Sequence, residues 1–387
     1  MPLSLIAAEI LPDDPDAVLV GRVWDETAGG PCVVLCRGGQ LHDLTGLAPT
    51  LSGLLEREDL IPALAGDFPV LGALDDYLDR GDGSGTRGRL LAPCDLQAIK
   101  AAGVTFAGSM IERVIEERAK GDPTRAEAIR SELAGILGGS LRGVRPGSEV
   151  AAAVKAKLQA AGMWSQYLEV GIGPDAEVFT KAPPMAAVGC GADIGVHRAS
   201  AWNNPEPEVV LAVNSTGRVI GATLGNDVNL RDVEGRSALL LGKAKDNNAS
   251  AAIGPFLRLF DGRFTLETVE ALRVGLDIVG EDGFVLSDHS DMGQISRPPA
   301  SIVAQTLNAS HQYPDGFVLF LGTMFAPTKD RDAPGQGFTH HRGDRVTISS
   351  GPLGWLVNTV RPCDEVAPWT FGTRALMENL ARRGVLA

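Results

Sequence analysis

The spacing of apolar and polar residues changes its period along the chain, and the changes suggest its parts. Ala17 to Trp24 and Cys32 to Cys36 are short apolar runs that read as strands, and Leu60 to Arg80 carries a helical pattern. The Gly/Asp-rich stretch Arg80 to Thr86 has the composition of a loop or linker, which places a boundary near residue 90. It lacks the Gly-Lys-Ser/Thr ending of a phosphate loop, so it reads as a plain turn. From Met110 to Ile136 the pattern is helical, with Asp122 as an N-cap, Pro123 in a first turn and Gly138-Gly139 as the stop. Glu149 to Ala161 predicts an Ala-rich helix closed by Gly162. After Gly171 short β-branched runs alternate with Gly, Pro and Asn, and helices are expected at about 265–279 and 298–308. The expected fold class is mostly β with α, an α+β protein. A small N-terminal α+β domain would span 1–90 and a larger domain 91–387, with 105–150 folding over it as a lid.

The most informative stretch is Pro205-Glu206-Pro207-Glu208 with the apolar run to Val213, the polar turn Asn214 to Gly217, and Val219 to Asp227. Two apolar runs around a Gly-containing turn predict a β-hairpin. With the turn centred between Ser215 and Thr216, Glu206 lies opposite Gly225, and the period of two sets Glu206, Glu208, Gly225 and Asp227 on one face. Same-face neighbours on a strand are about 7 Å apart, so three carboxylates there repel or take up protons unless a cation sits among them. All-oxygen ligands without His or Cys select Mg²⁺, with Mn²⁺ or Ca²⁺ as alternatives, over zinc. An isolated Glu-x-Glu at a strand start is ordinarily a solvated pair; the prolines flanking Glu206 and the polar run after Asp227 argue for a site instead.

Composition narrows the partners. The 387 residues are 44% hydrophobic and 21% charged, which is ordinary for a globular protein and not for a disordered one. A formal net charge of −13 argues against a nucleic-acid or anionic-membrane surface. No apolar run approaches the roughly 20 residues that span a bilayer, and a cytoplasmic location is expected. Five scattered cysteines, Cys32, Cys36, Cys94, Cys190 and Cys363, form no zinc pattern and read as buried or surface thiols. An acidic protein acting on an acidic substrate must supply positive charge locally, through a bound cation and a few placed Lys and Arg.

Glu206-Pro207-Glu208, Gly225 to Asp232, Leu241-Gly242-Lys243 with Gly254-Pro255 beyond it, Gly322-Thr323 and Gly343-Asp344-Arg345-Val346 fall in an order and spacing that resembles the fumarylacetoacetate hydrolase family. The resemblance covers roughly residues 93 to 387. It implies a mixed β-sandwich roll, a metal held by Glu206, Glu208 and Asp227, an active-site lysine at Lys243, and 2-keto acid chemistry. Hydrolytic members carry a His three residues before a Glu near the start of this domain; here Glu112 is present, but Ser109 stands at the histidine position. Without an imidazole the hydrolase loses its natural general base. The stretch Lys243-Ala244-Lys245-Asp246-Asn247-Asn248 is similar to the sugar-acid dehydratase branch of the family.

That branch implies metal-dependent dehydration of 2-keto-3-deoxy-D-pentonate (2-dehydro-3-deoxy-D-arabinonate or xylonate) to 2,5-dioxopentanoate. Lys243 and Glu112 are the expected catalytic residues, and Ser109, Lys181, Arg231 and Thr323 the expected substrate-binding ones. The alternatives are an acylpyruvate or fumarylacetoacetate-type C–C hydrolase, another 2-keto acid lyase, or a structural Ca²⁺ hairpin with no role for Lys243. The expected partner is a small 2-keto acid, and the expected assembly a homodimer or homotetramer.

Overall fold

The computed structural model describes residues 5–78, 87–106, 110, 114, 129, 131, 132, 135, 144–324, 327, 329–333 and 337–386. Most of the segment expected as a lid, with Ser109 and Glu112, lies outside them. The first strands are β1 Leu19–Asp25, β2 Gly30–Arg37, β3 Gln40–Asp43, β4 Val70–Ala73, β5 Gly88–Leu91 and β6 Ala98–Gly103. There follow β7 Glu177–Ala182, β8 Asp193–Val196, β9 Pro207–Val213, β10 Val219–Asp227 and β11 Ala251–Leu259. The last are β12 Arg273–Val279, β13 Val285–Asp291, β14 Phe317–Phe320, β15 Arg345–Ser350 and β16 Gly354–Pro362.

These form two sheets. The larger runs β4-β3-β2-β1-β11-β10-β9-β14-β6-β7, with β5 also paired to β1, and the smaller runs β13-β12-β15-β16-β8. Alternation explains how they stack. Val209, Leu211 and Val213 of β9 and Ala222 and Leu224 of β10 share one core with Val274, Leu276 and Ile278 of β12 and Val346 and Ile348 of β15. The opposite face of β9, through Val210 and Ala212, joins Ile253 and Phe320 in a second core, covered by Leu51, Leu54, Leu55, Leu60 and Leu64. The fold is therefore β-rich with few helices, and the carboxylates of β9 and β10 belong to the second, helix-covered face.

Several expectations change. The helical reading of Leu60 to Arg80 survives as the short helix Leu60–Ala63 and a 3-10 turn at Leu74–Tyr77, because Val70–Ala73 between them is a strand paired with β3. Over 265–279 the helix is only Leu266–Glu270; Val274, Leu276 and Ile278 are buried on alternate positions, which is a strand period. Helices Glu149–Ala160 and Pro299–Thr306 stand where the pattern puts them. Strands from both sides of residue 90 share the larger sheet, through Leu19 opposite Arg258 and Val20 opposite Leu257. No helix among the described residues is long and apolar enough to cross a membrane. The five thiols are free, and burial pushes those of Cys36, Cys94 and Cys190 up to about 12.

Candidate metal centre

The β9–β10 hairpin forms with a register two residues away from the expected one. Glu208 lies opposite Gly225 and Pro207 opposite Asn226, and the Asp227 N–H donates to the Glu206 carbonyl. Two features each shift the pairing by one residue, the loop and an irregularity between Val219 and Gly221. Asn214 Oδ1 accepts from the N–H of Thr216 and of Arg218, Gly217 turns the chain at φ +83°, and the first pairing is Val213 with Val219. A shift of two preserves the faces, whereas a shift of one would have inverted them. Gly225 is needed opposite Glu208 because a Cβ there would overlap the Phe320 ring and meet Val210 Cγ2 at 2.5 Å.

One oxygen from each of Glu206, Glu208 and Asp227 lies within 4.8 Å of the others, and the three residues are 5%, 2% and 2% exposed. Two lysines enter the cluster. Lys245 Nζ pairs with Glu206 Oε2 and, at 3.0 Å, with Asp227 Oδ2. Lys181 Nζ lies 2.7 Å from Asp227 Oδ1. Among the described residues no Lys or Arg forms an ion pair with Glu208, whose Oε2 accepts the Gly322 N–H at 2.6 Å. Burial, then the charges of Asp227 and Glu206, push the Glu208 carboxyl well up. Burial raises Glu206 as well, with Lys245 opposing it. Burial also works against ionising Asp227, but Lys181 and Lys245 outweigh it and hold that carboxyl low. Burial alone would pull Lys245 down; Asp227 and Glu206 more than offset this, so its ammonium is held charged.

Three buried carboxylates against two ammoniums leave an excess negative charge, concentrated at Glu208. A hard divalent cation fits this donor set: every ligand atom is a carboxylate oxygen, and the one carboxylate without a basic partner is the one most costly to ionise.

The other expected residues divide. Lys181 is fully buried on β7, two residues after Phe179, which lies beneath Lys245 with 5.8 Å between the ammonium and the ring centroid. Thr323 is half-buried and adjoins the Gly322 N–H that meets Glu208. Arg231 is buried and stacks over Trp202 at 4.2 Å, while the neighbouring Asp232 accepts from Ser200 Oγ and the Ala201 N–H. Lys243 requires correction. It is exposed on the short helix Leu241–Lys245, and the lysine in the cluster is Lys245. Helical residues two apart point about 200° away from each other, so only one of the two can face the carboxylates.

Sequence reasoning also missed Asn229. It is fully buried, and its Nδ2 donates to Glu206 Oε1 at 3.1 Å and to Glu234 Oε2 at 2.6 Å. Its backbone exchanges two 3.0 Å hydrogen bonds with Asn204. The signal was the period of two, which carries the face of Asp227 on to Asn229.

No family model matches the chain. Over 185 residues, 48% of this chain and 58% of the relative, it is 31% identical to 2-dehydro-3-deoxy-D-arabinonate dehydratase of Saccharolobus solfataricus, so the match spans under two thirds of that protein. Over 209 residues, 53% of this chain and 67% of the relative, it is 30% identical to a probable 2-keto-3-deoxyxylonate dehydratase of Haloferax volcanii. Among solved structures, 2-keto-3-deoxy-D-arabinonate dehydratase complexed with magnesium and 2,5-dioxopentanoate aligns with a TM-score of 0.58 at 20% identity, over 89% of this chain and 99% of that one. Fumarylacetoacetate hydrolase from Exiguobacterium antarcticum aligns with a TM-score of 0.51 at 15% identity, over 89% and 100%. These last two likenesses are of fold. By its curated relatives the chain belongs to the family of the 2-keto-3-deoxy sugar-acid dehydratases, on the fold of fumarylacetoacetate hydrolase.

Proposed function

We propose that the protein is a metal-dependent hydro-lyase that converts 2-keto-3-deoxy-D-pentonate to 2,5-dioxopentanoate and water. The observation that carries this is the buried cluster of Glu206, Glu208 and Asp227 with a charged Lys245 inside it. The names of the relatives, and the ligands of the solved dehydratase complex, point the same way. A divalent cation bound by the three carboxylates would supply Lewis acidity to the carboxylate and 2-keto oxygen of the substrate.

The chain's own residues supply the rest. Lys245, which pairs with Glu206 and Asp227, is placed to hydrogen-bond a substrate oxygen and stabilise negative charge as a proton leaves carbon 3. Loss of that proton and of hydroxide from carbon 4 makes one water. Moving a proton from carbon 5 to carbon 3 gives the enol, and transfer of its O–H proton to carbon 4 gives the aldehyde. Glu112, outside the described residues, is the candidate for carrying the proton at carbon 3 or 4, and Ser109, Thr323 and Arg231 are candidates for holding the substrate. Asn229 orients Glu206 through its shared amide. We read the enzyme as cytoplasmic, a homodimer or homotetramer, with a sandwich-roll catalytic part at 91–387 and a smaller N-terminal part at 1–90.

The test is incubation of the Mg²⁺-loaded protein with 2-keto-3-deoxy-D-pentonate, coupled to a dehydrogenase that oxidises the semialdehyde product, with acetylpyruvate in parallel. Semialdehyde formation that a chelator abolishes is the expected result. Cleavage of acetylpyruvate with the sugar acid untouched would overturn the dehydratase reading in favour of a hydrolase.

A further inference from the structure

Lys181 stands apart from every other lysine of the site in its surroundings. Its side chain has no exposed surface, and an ammonium has three N–H donors and no acceptor. Around Nζ stand Asp227 Oδ1 at 2.7 Å, the Val228 carbonyl at 3.0 Å and the Lys245 carbonyl, with Ser250 Oγ farther off at 3.5 Å. The three donors go to the Val228 and Lys245 carbonyls and to Ser250 Oγ, while Asp227 Oδ1 is held by charge as an ion pair, so protein oxygens already surround the ammonium. A substrate oxygen would have to displace one of them in a place that solvent does not reach.

What those oxygens belong to gives the residue its meaning. One is a side chain of the carboxylate cluster, one is the next carbonyl along the same strand end, and one is the carbonyl of the residue whose own ammonium enters the cluster from the other side. Ser250 completes the bracket, its Oγ lying 2.8 Å from the same Lys245 carbonyl.

We infer that Lys181 is a positioning residue and not a substrate ligand: it is an internal counter-charge that fixes Asp227 and the backbone of Lys245 relative to each other. This rests on the reading of Glu206, Glu208 and Asp227 as metal ligands. The two lysines then divide the work by location. Lys245 reaches the cluster at Glu206 and Asp227, while Lys181 holds Asp227 through its other oxygen and ties the Lys245 main chain to it.

The experiment is Lys181→Met, read by Mn²⁺ binding followed through water-proton relaxation without substrate, and by kcat and KM on the sugar acid at saturating metal. The expected result is a 10- to 100-fold loss of Mn²⁺ affinity, the usual cost of removing a partner that orients a metal ligand, with a fall in kcat and KM near wild type. Wild-type Mn²⁺ affinity with a raised KM would make Lys181 a substrate ligand and overturn the inference, as would no change in either. Wild-type protein that binds Mn²⁺ but leaves the sugar acid intact would remove the proposed function, and the Mn²⁺ titration would still decide Lys181. Should Lys181→Met fail to fold, Lys181→Gln, which keeps two N–H donors, takes its place under the same readouts.

Discussion

Replacing Gly322 with alanine tests the link between backbone geometry and the carboxylate cluster. Gly322 has φ +90° and follows β14, and its N–H is the hydrogen-bond donor to Glu208. A Cβ at this position would overlap Thr105 Oγ1 and sit 2.9 Å from the Ala102 carbonyl oxygen. Thr105 cannot simply move away, because its hydroxyl donates to the Leu321 carbonyl at 2.7 Å and its own carbonyl accepts from Ser296. The left-handed conformation costs an L-residue about 1–2 kcal/mol, and a lost hydrogen bond to a buried carboxylate about 1.5–3 kcal/mol. Gly322→Ala should therefore lower stability by about 3–5 kcal/mol in urea unfolding. Mg²⁺ affinity, read from the rise in melting temperature with metal, should fall about tenfold or more, since about 1.4 kcal/mol of the loss acts on Glu208 itself. Adding Thr105→Ala relieves the Oγ1 overlap but leaves the Ala102 carbonyl contact and the backbone strain and gives up the hydroxyl bond to Leu321, so the wild-type stability should not be restored. If Gly322→Ala unfolds at the wild-type midpoint and binds Mg²⁺ as well as wild type, the N–H to Glu208 contact is not what shapes the site.

Two further outcomes follow from other contacts. Lys245→Met should lower kcat by at least about 100-fold, as removal of a charge-stabilising donor does, while Lys243→Met stays near wild type; equal losses in the two would return the role to Lys243. Burial works against ionising Asp344, but Arg331 at 2.6 and 2.7 Å, with His340 and the His341 N–H, holds its carboxyl at about 2 instead of 3.8. A carboxylate depressed in this way gives stability that is present above pH 3.8 and lost as pH falls towards about 2, about 2 kcal/mol in all. Asp344→Asn should remove that acid-side loss in urea titrations between pH 4 and 2; a variant that keeps the wild-type slope over this window refutes the assignment.

How much was legible in the sequence depends on the range of the interaction. The face shared by Glu206, Glu208 and Asp227 could be read because it follows from strand period alone and survives a register error of two. The hairpin register could not, since it is set by Asn214 closing the turn, by Glu56 accepting from the Ser215 N–H and Oγ, a contact 159 residues away in sequence, and by the irregularity between Val219 and Gly221. The resemblance pointed to Lys243, while the lysine that reaches the carboxylates is Lys245; helical geometry allows only one of the two to face them, and the sequence alone does not say which. The strand Arg273–Val279 was masked by a helical start at Leu266, although its own alternation was visible. Lys181 was singled out by its Phe-x-Lys step as a substrate-binding residue, whereas its burial beside Asp227, Val228, Lys245 and Ser250, far along the chain, is something no local pattern displays.

The pairing of β1 with β11 has a practical consequence for anyone cutting the chain. Strand β11 lies between β1 and β10, and β10 carries Asp227. Removing residues 1–90 would therefore unpair the Leu257–Arg258 end of β11 and leave its N–H and C=O groups open, the kind of border along which chains stick to one another, while Val188 would still cover the Ala251–Ile253 end. It would also uncover Ile253, Leu257 and Val210, which now lie in one core with Val20, Val33 and Leu51. A shortened chain is a poor vehicle for studying the carboxylates, and full-length protein should unfold around them as one piece.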